Sequence, residues 1–240
     1  REGRPRPVIL TVFTSNQPLH LALLRALRDD GHVVYPVIEP KSWTPWGKNA
    51  VLHDYWMRVQ AAEAVVFGPI PVFDTNRPVL IVPMGELSFI ESWLLPLASD
   101  RYLVFGSSYI RGWLADFLID RGALNLHGGL APYYRGAAPN FWAARDGNRH
   151  LVGAQVQRLS NGLDAGEILA TTRHGDFAYG DPFLAGMEAI QRGHDLLRVL
   201  LRTPEPWIPV MKNDKAEQVA YHVAADFTEE VADRYLATLA

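Results

Sequence analysis

Asn125 and His127 are the first residues in this chain whose types and spacing suggest chemistry. They stand two apart at the end of a predicted strand, so both side chains can point the same way. Gly128 and Gly129 end the strand and leave backbone room beside the imidazole. An amide there can donate to an oxyanion, and an imidazole can move a proton at neutral pH. The same spacing also suits a histidine that only satisfies backbone groups at a strand end. The second candidate is Asp164, which sits between Gly162 and Gly166 in a loop joining two predicted strands. Its carboxylate can orient an imidazole, or it can make an Asx bond to its own backbone. Spacing alone does not bring it to His127.

The elements that must position these groups follow from apolar periodicity. Val8 to Phe13 is a β-branched, apolar run of strand length. Ser15 or Asn16 is placed to cap a following helix with Pro18 in its first turn, and Leu19, Leu23, Leu24 and Leu27 recur at helical spacing. Asp30-Gly31 ends that helix, and Val33 to Ile38 reads as a second strand. This is a β-α-β unit, in which a crossover helix joins parallel strands. A Trp- and Pro-bearing loop runs from Glu39 to Gly47. Next come a helix near Asn49 to Val66, a strand at Val79 to Val82, a short helix at Ser88 to Leu97 and a strand at Tyr102 to Phe105. A helix at Ile110 to Asp120 leads to the strand Ala123 to Leu126, and strands are expected at Val152 to Leu159 and Glu167 to Thr172. Asp181-Pro182 opens a helix to about Arg202, and Asp226 with Glu229 forms a capping pair before a last helix. The alternation predicts an α/β fold, an open and mostly parallel twisted sheet with flanking helices and ligands at the carboxyl ends of its strands.

Composition narrows the class. The 240 residues include no cysteine, which excludes a disulfide framework, a cysteine nucleophile and Cys-based metal sites. Net charge is −3, from 23 basic against 26 acidic residues, so no basic field awaits nucleic acid. Apolar runs are too short for a membrane span, and the run behind the basic Arg1 to Pro7 segment is too short for a signal peptide. A cytoplasmic protein is the expectation. P-loop, G-x-G-x-x-G, G-x-S-x-G and H-E-x-x-H motifs are missing.

Taken in order, Asn125-x-His127, Leu130-x-Pro132-x-Tyr134-Arg135-Gly136, Trp142 and Gly162-x-Asp164-x-Gly166 resemble the folate-dependent formyltransferase family. The strong match covers roughly Val104 to Ala170. The resemblance implies a Rossmann-like fold and direct transfer of a formyl group from 10-formyltetrahydrofolate to a primary amine, without a metal. It also implies roles: Asn125 and protonated His127 stabilise the oxyanion, and Asp164 holds and charges the histidine. The folate would lie against Gly106, Ser107, Ser108, Tyr109 and Ile110, and against Ser160, Asn161 and Gly162, where backbone groups would read the pterin edge. The alternative for Tyr109 and Ile110 is an ordinary strand-to-helix turn.

This chain departs from the family pattern beside the reaction centre. Gly128-Gly129 stands where many members have Pro-Ser, and Gly153-Ala154-Gln155 replaces a threonine-containing run. The glycine step is expected to enlarge the space near His127 and admit an unusual amine. Acceptor-site candidates are Tyr134, Arg135, Asn16 and Trp46; Arg135 serves equally as an anion anchor, a brace for the glycine loop or a surface ion pair. Trp43, Trp46, Tyr55 and Trp56 can stack on a flat ring or belong to the core. The expected acceptor is a small or carrier-bound amine (amino sugar, amino acid or natural-product intermediate), with no nucleic-acid or membrane partner and a homodimer left open. A 10-formyltetrahydrofolate hydrolase using the same residues, or a non-catalytic binding protein on this fold, are the competing functions. One catalytic domain is expected over 1–205, with a short extension over 206–240 packed on it.

Overall fold

The computed structural model describes residues 7–41, 50–68, 79–90, 98–173 and 180–239. Among these, a seven-stranded sheet has the order β3-β2-β1-β4-β5-β7-β8. Its strands are β1 (Ile9–Ser15), β2 (Val33–Glu39), β3 (Leu80–Ile81), β4 (Arg101–Val104), β5 (Leu124–His127), β7 (Gly153–Arg158) and β8 (Ile168–Arg173). The first five are parallel, and β7 and β8 extend the sheet antiparallel. The chain winds outward through β1, β2 and β3, then returns to place β4 on the other side of β1. The strand order therefore reverses between β1 and β4, where such sheets open a crevice at their carboxyl ends.

The expected elements form with shifted bounds. β3 is only two residues long and meets β2 at Val37 and Ile38, beyond Pro36, whose missing N–H cannot serve a longer ladder. In place of a helix from Ser88, a single 3-10 turn spans Leu87–Phe89, and residues 91–97 lie outside the described residues. Helix α1 (Pro18–Asp29) has Pro in its first turn, but neither Ser15 nor Asn16 caps it. Gln17 takes the cap position without a side-chain bond, and the Leu19 N–H donates instead to the Glu63 carboxylate of α2 (Ala50–Phe67) at 2.9 Å. Burial raises the pKa of Glu63 above the usual carboxylate range.

Side-chain alternation along the strands divides the core and thereby aims the site. Leu10, Val12, Leu103, Leu124 and Leu126 face α1 and α5 (Pro182–Arg202). Phe13, Tyr102 and Val104 face α3 (Gly112–Asp120), packing on Leu114 and Leu118. Because Leu124 and Leu126 point to the α1/α5 side, Asn125 and His127 must project from the opposite face. α5 opens as expected, with Asp181 accepting the Phe183 N–H at 2.7 Å. It is tied to α1 through Arg198 and Asp30, whose pKa is lowered chiefly by that hydrogen bond.

The C-terminal segment packs back on these elements. Trp207 joins the α1/α5 core, and β9 (Ala220–His222) pairs in parallel with the short β6 (Tyr134–Gly136). His222 stacks on Trp142 of α4 (Pro139–Arg145) with ring centroids 3.7 Å apart. Asp226 and Glu229 do not form the expected capping pair. Asp226 instead ends a 3-10 turn and accepts the Val223 N–H at 2.8 Å, and Thr228 caps α6 (Glu229–Ala237) by accepting the Val231 N–H at 3.3 Å. Tyr55 lies in the core against Phe141, Phe183 and Phe227, and Trp56 packs on Tyr55 and Phe227. These two rings therefore belong to the core; Trp43 and Trp46 lie outside the described residues.

Candidate active site

The three residues singled out for chemistry come together. β5 ends at His127, and the loop between β7 and β8 returns Asp164 beside it. The Asp164 Oδ1 atom lies 3.3 Å from His127 Nδ1 and accepts from Asn125 Nδ2 at 3.3 Å. Gln157 Nε2 donates to the same oxygen at 3.2 Å, and the Gly136 backbone N–H donates to Oδ2 at 2.9 Å. Asp164 is thus not satisfied by its own turn alone. Its acceptor-only role in this ring of N–H groups is the one an ionised carboxylate fills. Its φ of 50° lies in the left-handed region, uncommon for a non-glycine residue but tolerated by Asp and Asn.

His127 meets oxygen at both ring nitrogens. Nδ1 faces Asp164, and Nε2 lies 3.4 Å from the Tyr134 carbonyl. A doubly protonated ring can donate in both directions, and the long second contact is one that a substrate oxygen can displace. Asn125 is half-buried and uses one N–H on Asp164, so the second is available to a developing oxyanion.

Two glutamines that motif matching passed over complete the polar face. In the β5–β7 register Gln157 is opposite Asn125 and Gln155 is opposite His127. Gln155 Nε2 donates to Gln157 Oε1 at 2.8 Å, which turns the Gln157 N–H groups toward Asp164. Both glutamines are buried. Their i, i+2 spacing in an apolar strand repeats the Asn125–His127 pattern, and that periodicity was the available signal.

The glycine step does not open the space expected of it. A Cβ on Gly129 would lie 2.2 Å from Pro139 Cγ, so the glycine lets α4 press against the loop. A Cβ on Gly128 would make ordinary contact with Ile190 at 3.5 Å. The room is taken by protein.

The two loops expected to flank a folate meet directly. Tyr109 Oη donates to the Asn161 carbonyl at 3.0 Å, joining the 106–110 loop to the 160–164 loop. Tyr109 and Leu163 keep apolar surface exposed, while Ile110 is buried against α3. Ser160 Oγ donates to the Gly162 carbonyl at 3.1 Å, and Ser107 Oγ to the Ser108 carbonyl at 3.1 Å. The first loop is held by Glu39, a fully buried carboxylate absent from the sequence-based candidates. It accepts from Ser108 N at 2.6 Å, Ser108 Oγ at 2.7 Å and Gly85 N at 2.7 Å. The segments after β3 and β4 are thereby tied to the last side chain of β2.

Gly106 allows this loop to sit down. Its φ is +73°, and a Cβ would fall 1.9 Å from Nε2 of the buried His20 ring. Burial, with Lys41 and His194 nearby, holds the His20 pKa well below the usual histidine value, and burial pushes His194 down to about 3. The floor is therefore neutral near pH 7. Gly106→Ala is expected to cost about 1–2 kcal/mol for the left-handed backbone and about 1–3 kcal/mol for overpacking. That lowers the thermal midpoint by roughly 5–15 °C in a chain this size. Scanning calorimetry checks it, and a drop no larger than the backbone cost alone would mean that His20 has a second position to occupy.

The acceptor-side candidates separate. Tyr134 is buried, and its hydroxyl donates to Asp146 at 3.1 Å and accepts from Asn148 at 2.8 Å. Only its backbone carbonyl faces His127. Arg135 is buried rather than a surface ion pair, and its Nη2 donates to Asn213 at 2.8 Å. Asn16 accepts the Lys41 N–H at 2.8 Å, linking the chain after β1 to the chain after β2. Among the described residues no group of three or more His, Cys, Asp or Glu is disposed to hold a metal, and no helix is long and apolar enough to cross a membrane.

An open sheet with a topological switch, whose Asn-x-His strand end is closed by a carboxylate loop, defines a Rossmann-like α/β protein with its site at the strand ends. Residues 117–175, which include the Asn125–His127–Asp164 cluster, match the family model described as formyl transferase. Over that segment the chain is similar to the formyl transferase family. It is 30% identical over 161 residues to a methionyl-tRNA formyltransferase of Anaeromyxobacter dehalogenans (strain 2CP-1), covering 65% of this chain and 46% of the relative. It is 47% identical over 159 residues to one from Acidobacterium capsulatum, covering 66% and 47%. The chain thus spans about half the length of the curated relatives it matches. A 4-N formyltransferase from Francisella tularensis shares the fold, with a TM-score of 0.57 at 15% identity over 92% of this chain and 78% of that one.

Proposed function

We propose that this chain is an N-formyltransferase that moves a formyl group from 10-formyltetrahydrofolate to a primary amine of a small or carrier-bound metabolite. The acceptor is an amino sugar, an amino acid or a natural-product intermediate. The observation that carries this reading is the convergence of Asn125, His127 and Asp164 on one face at the end of β5. The crevice beside them suits a flat ligand with a polar edge. Tyr109 and Leu163 offer apolar surface, and the Ser160–Gly162 turn offers backbone groups.

In this reading the amine nitrogen forms a bond to the formyl carbon. Asn125 and protonated His127 donate to the oxygen that becomes negative, and Asp164 balances the imidazolium. The bond from the formyl carbon to the folate nitrogen then breaks. That nitrogen takes up one proton while the amine gives one up, with His127 placed to move it. The products are a formamide and tetrahydrofolate. The net charge of −3 favours a small acceptor over a nucleic acid.

Tetrahydrofolate release is the test, followed spectroscopically with a panel of amino-sugar nucleotides, amino acids, peptides and methionyl-tRNA. Release that requires one of the amines is expected. Release without any amine would replace this reading with a hydrolase, and no release together with no calorimetric binding of 10-formyltetrahydrofolate would leave a binding protein. Methionyl-tRNA as the preferred acceptor would overturn the small-acceptor assignment alone.

A further inference from the structure

We propose that Asn213, in the C-terminal segment, is a positioning residue for the Asp164 carboxylate; its kinetic consequence rests on the formyl-transfer reading above. Asn213 Nδ2 donates to two carbonyls of the site loop, that of Asp164 at 2.9 Å and that of Gly166 at 2.7 Å. Its Oδ1 accepts from Arg135 Nη2 at 2.8 Å. Every polar atom of this amide is directed to the site loop or to the strand beside it.

The Asp164 loop needs such a clamp. Asp164 holds a left-handed backbone at φ 50°, a conformation that persists in a non-glycine residue when its surroundings over-determine it. Asn213 grips the carbonyl of that very residue. Arg135, which orients the amide, lies on β6 between two residues whose backbones also meet the site. The Gly136 N–H donates to Asp164 Oδ2 at 2.9 Å, and the Tyr134 carbonyl faces His127 Nε2 at 3.4 Å. β6 in turn is paired with β9 from the same C-terminal segment. Just before Asn213, the Val210 N–H donates to the Ile168 carbonyl at 2.8 Å, and Met211 forms an isolated bridge with Ile168 at the start of β8. The segment thus holds the carboxylate loop from outside, and Asn213 is where it reaches Asp164.

Asn213→Asp separates positioning from simple attachment. The carboxylate still accepts from Arg135 but has no N–H for the two carbonyls, and it sets oxygen against oxygen there. With the variant folded, kcat for formyl transfer is expected to fall by roughly 10²-fold, the scale of a misplaced reacting group, with KM for 10-formyltetrahydrofolate little changed. The Gly136 amide, which reports on Asp164 Oδ2 without any reaction, should shift in the ¹H–¹⁵N spectrum and exchange faster with solvent. Lys212→Ala, at an exposed neighbour, should alter neither readout. If Asn213→Asp does not fold, Asn213→Ser keeps one donor, and an intermediate kcat with an intermediate Gly136 shift is expected. A folded variant with wild-type kcat and a wild-type Gly136 amide overturns the proposal. If wild-type protein transfers no formyl group, the functional reading fails, and the Gly136 amide alone decides the role of Asn213.

Discussion

Replacing His127 by alanine is expected to lower kcat for formyl transfer by about 10²–10⁴-fold, the usual contribution of a positioned acid–base group. Binding of 10-formyltetrahydrofolate should survive, because the loops that face the crevice are tied by Glu39 and by the Tyr109–Asn161 bond, neither of which involves the imidazole. The fold should survive as well. Without the ring, Asp164 still accepts from Asn125, Gln157 and Gly136, so no buried carboxylate is orphaned. Single-turnover kinetics beside calorimetric titration of the co-substrate separate the two effects. Retention of kcat within about tenfold would remove His127 from proton transfer and leave oxyanion stabilisation to Asn125. Joint loss of binding and rate would place the imidazole in the folate site instead.

The parts of this site that were legible in the sequence are those set by local rules. A strand of alternating character puts Asn125 and His127 on one face whatever the rest of the chain does, because side chains repeat every two residues. Asp181-Pro182 marks a helix start by its own chemistry, and the Asp181 carboxylate caps α5. Asp164 was visible as a polar residue between glycines, but its meeting with His127 needed the antiparallel return of β7, which spacing alone cannot supply. Glu39 was hidden for a similar reason. It reads as the first residue of a Trp- and Pro-bearing loop, and its three donors come from segments 46 and 69 residues away.

The failures have physical causes of the same kind. Ser15 and Asn16 are good capping residues, yet a buried Glu63 from another helix reached the α1 N-terminus first. Tertiary contact overrode a local preference. Gly128-Gly129 looked like added room, but a glycine creates space only where nothing else moves in, and Pro139 does. Asn213 had no signal at all in the sequence. Its importance exists only because the C-terminal segment folds back along β8 and brings an amide within reach of two carbonyls.

Asp164→Asn should give the other large effect, and it isolates charge from backbone shape. Asparagine tolerates the left-handed conformation as aspartate does, so the turn at φ 50° is expected to form. What changes is the inventory of lone pairs. The carboxylate receives three N–H groups on Oδ1 and one on Oδ2, whereas an amide has one accepting oxygen and one donating NH₂ group. If the oxygen takes the Oδ1 position, the NH₂ group opposes the Gly136 N–H, and if the NH₂ group takes it, three donors are opposed. The first orientation is the cheaper. It costs about 1–3 kcal/mol for the unpaired buried donor, and it removes the negative charge beside the imidazolium. We expect kcat to fall by about 10²–10⁴-fold with a modest drop in thermal midpoint, read from single-turnover rates and calorimetry on the same preparation. Asp164→Ala should lose more stability than Asp164→Asn, since alanine does not favour the left-handed region. A folded Asp164→Asn protein with undiminished kcat would reduce Asp164 to a turn residue, and Asn125 and His127 would then have to stabilise the oxyanion without a counter-charge.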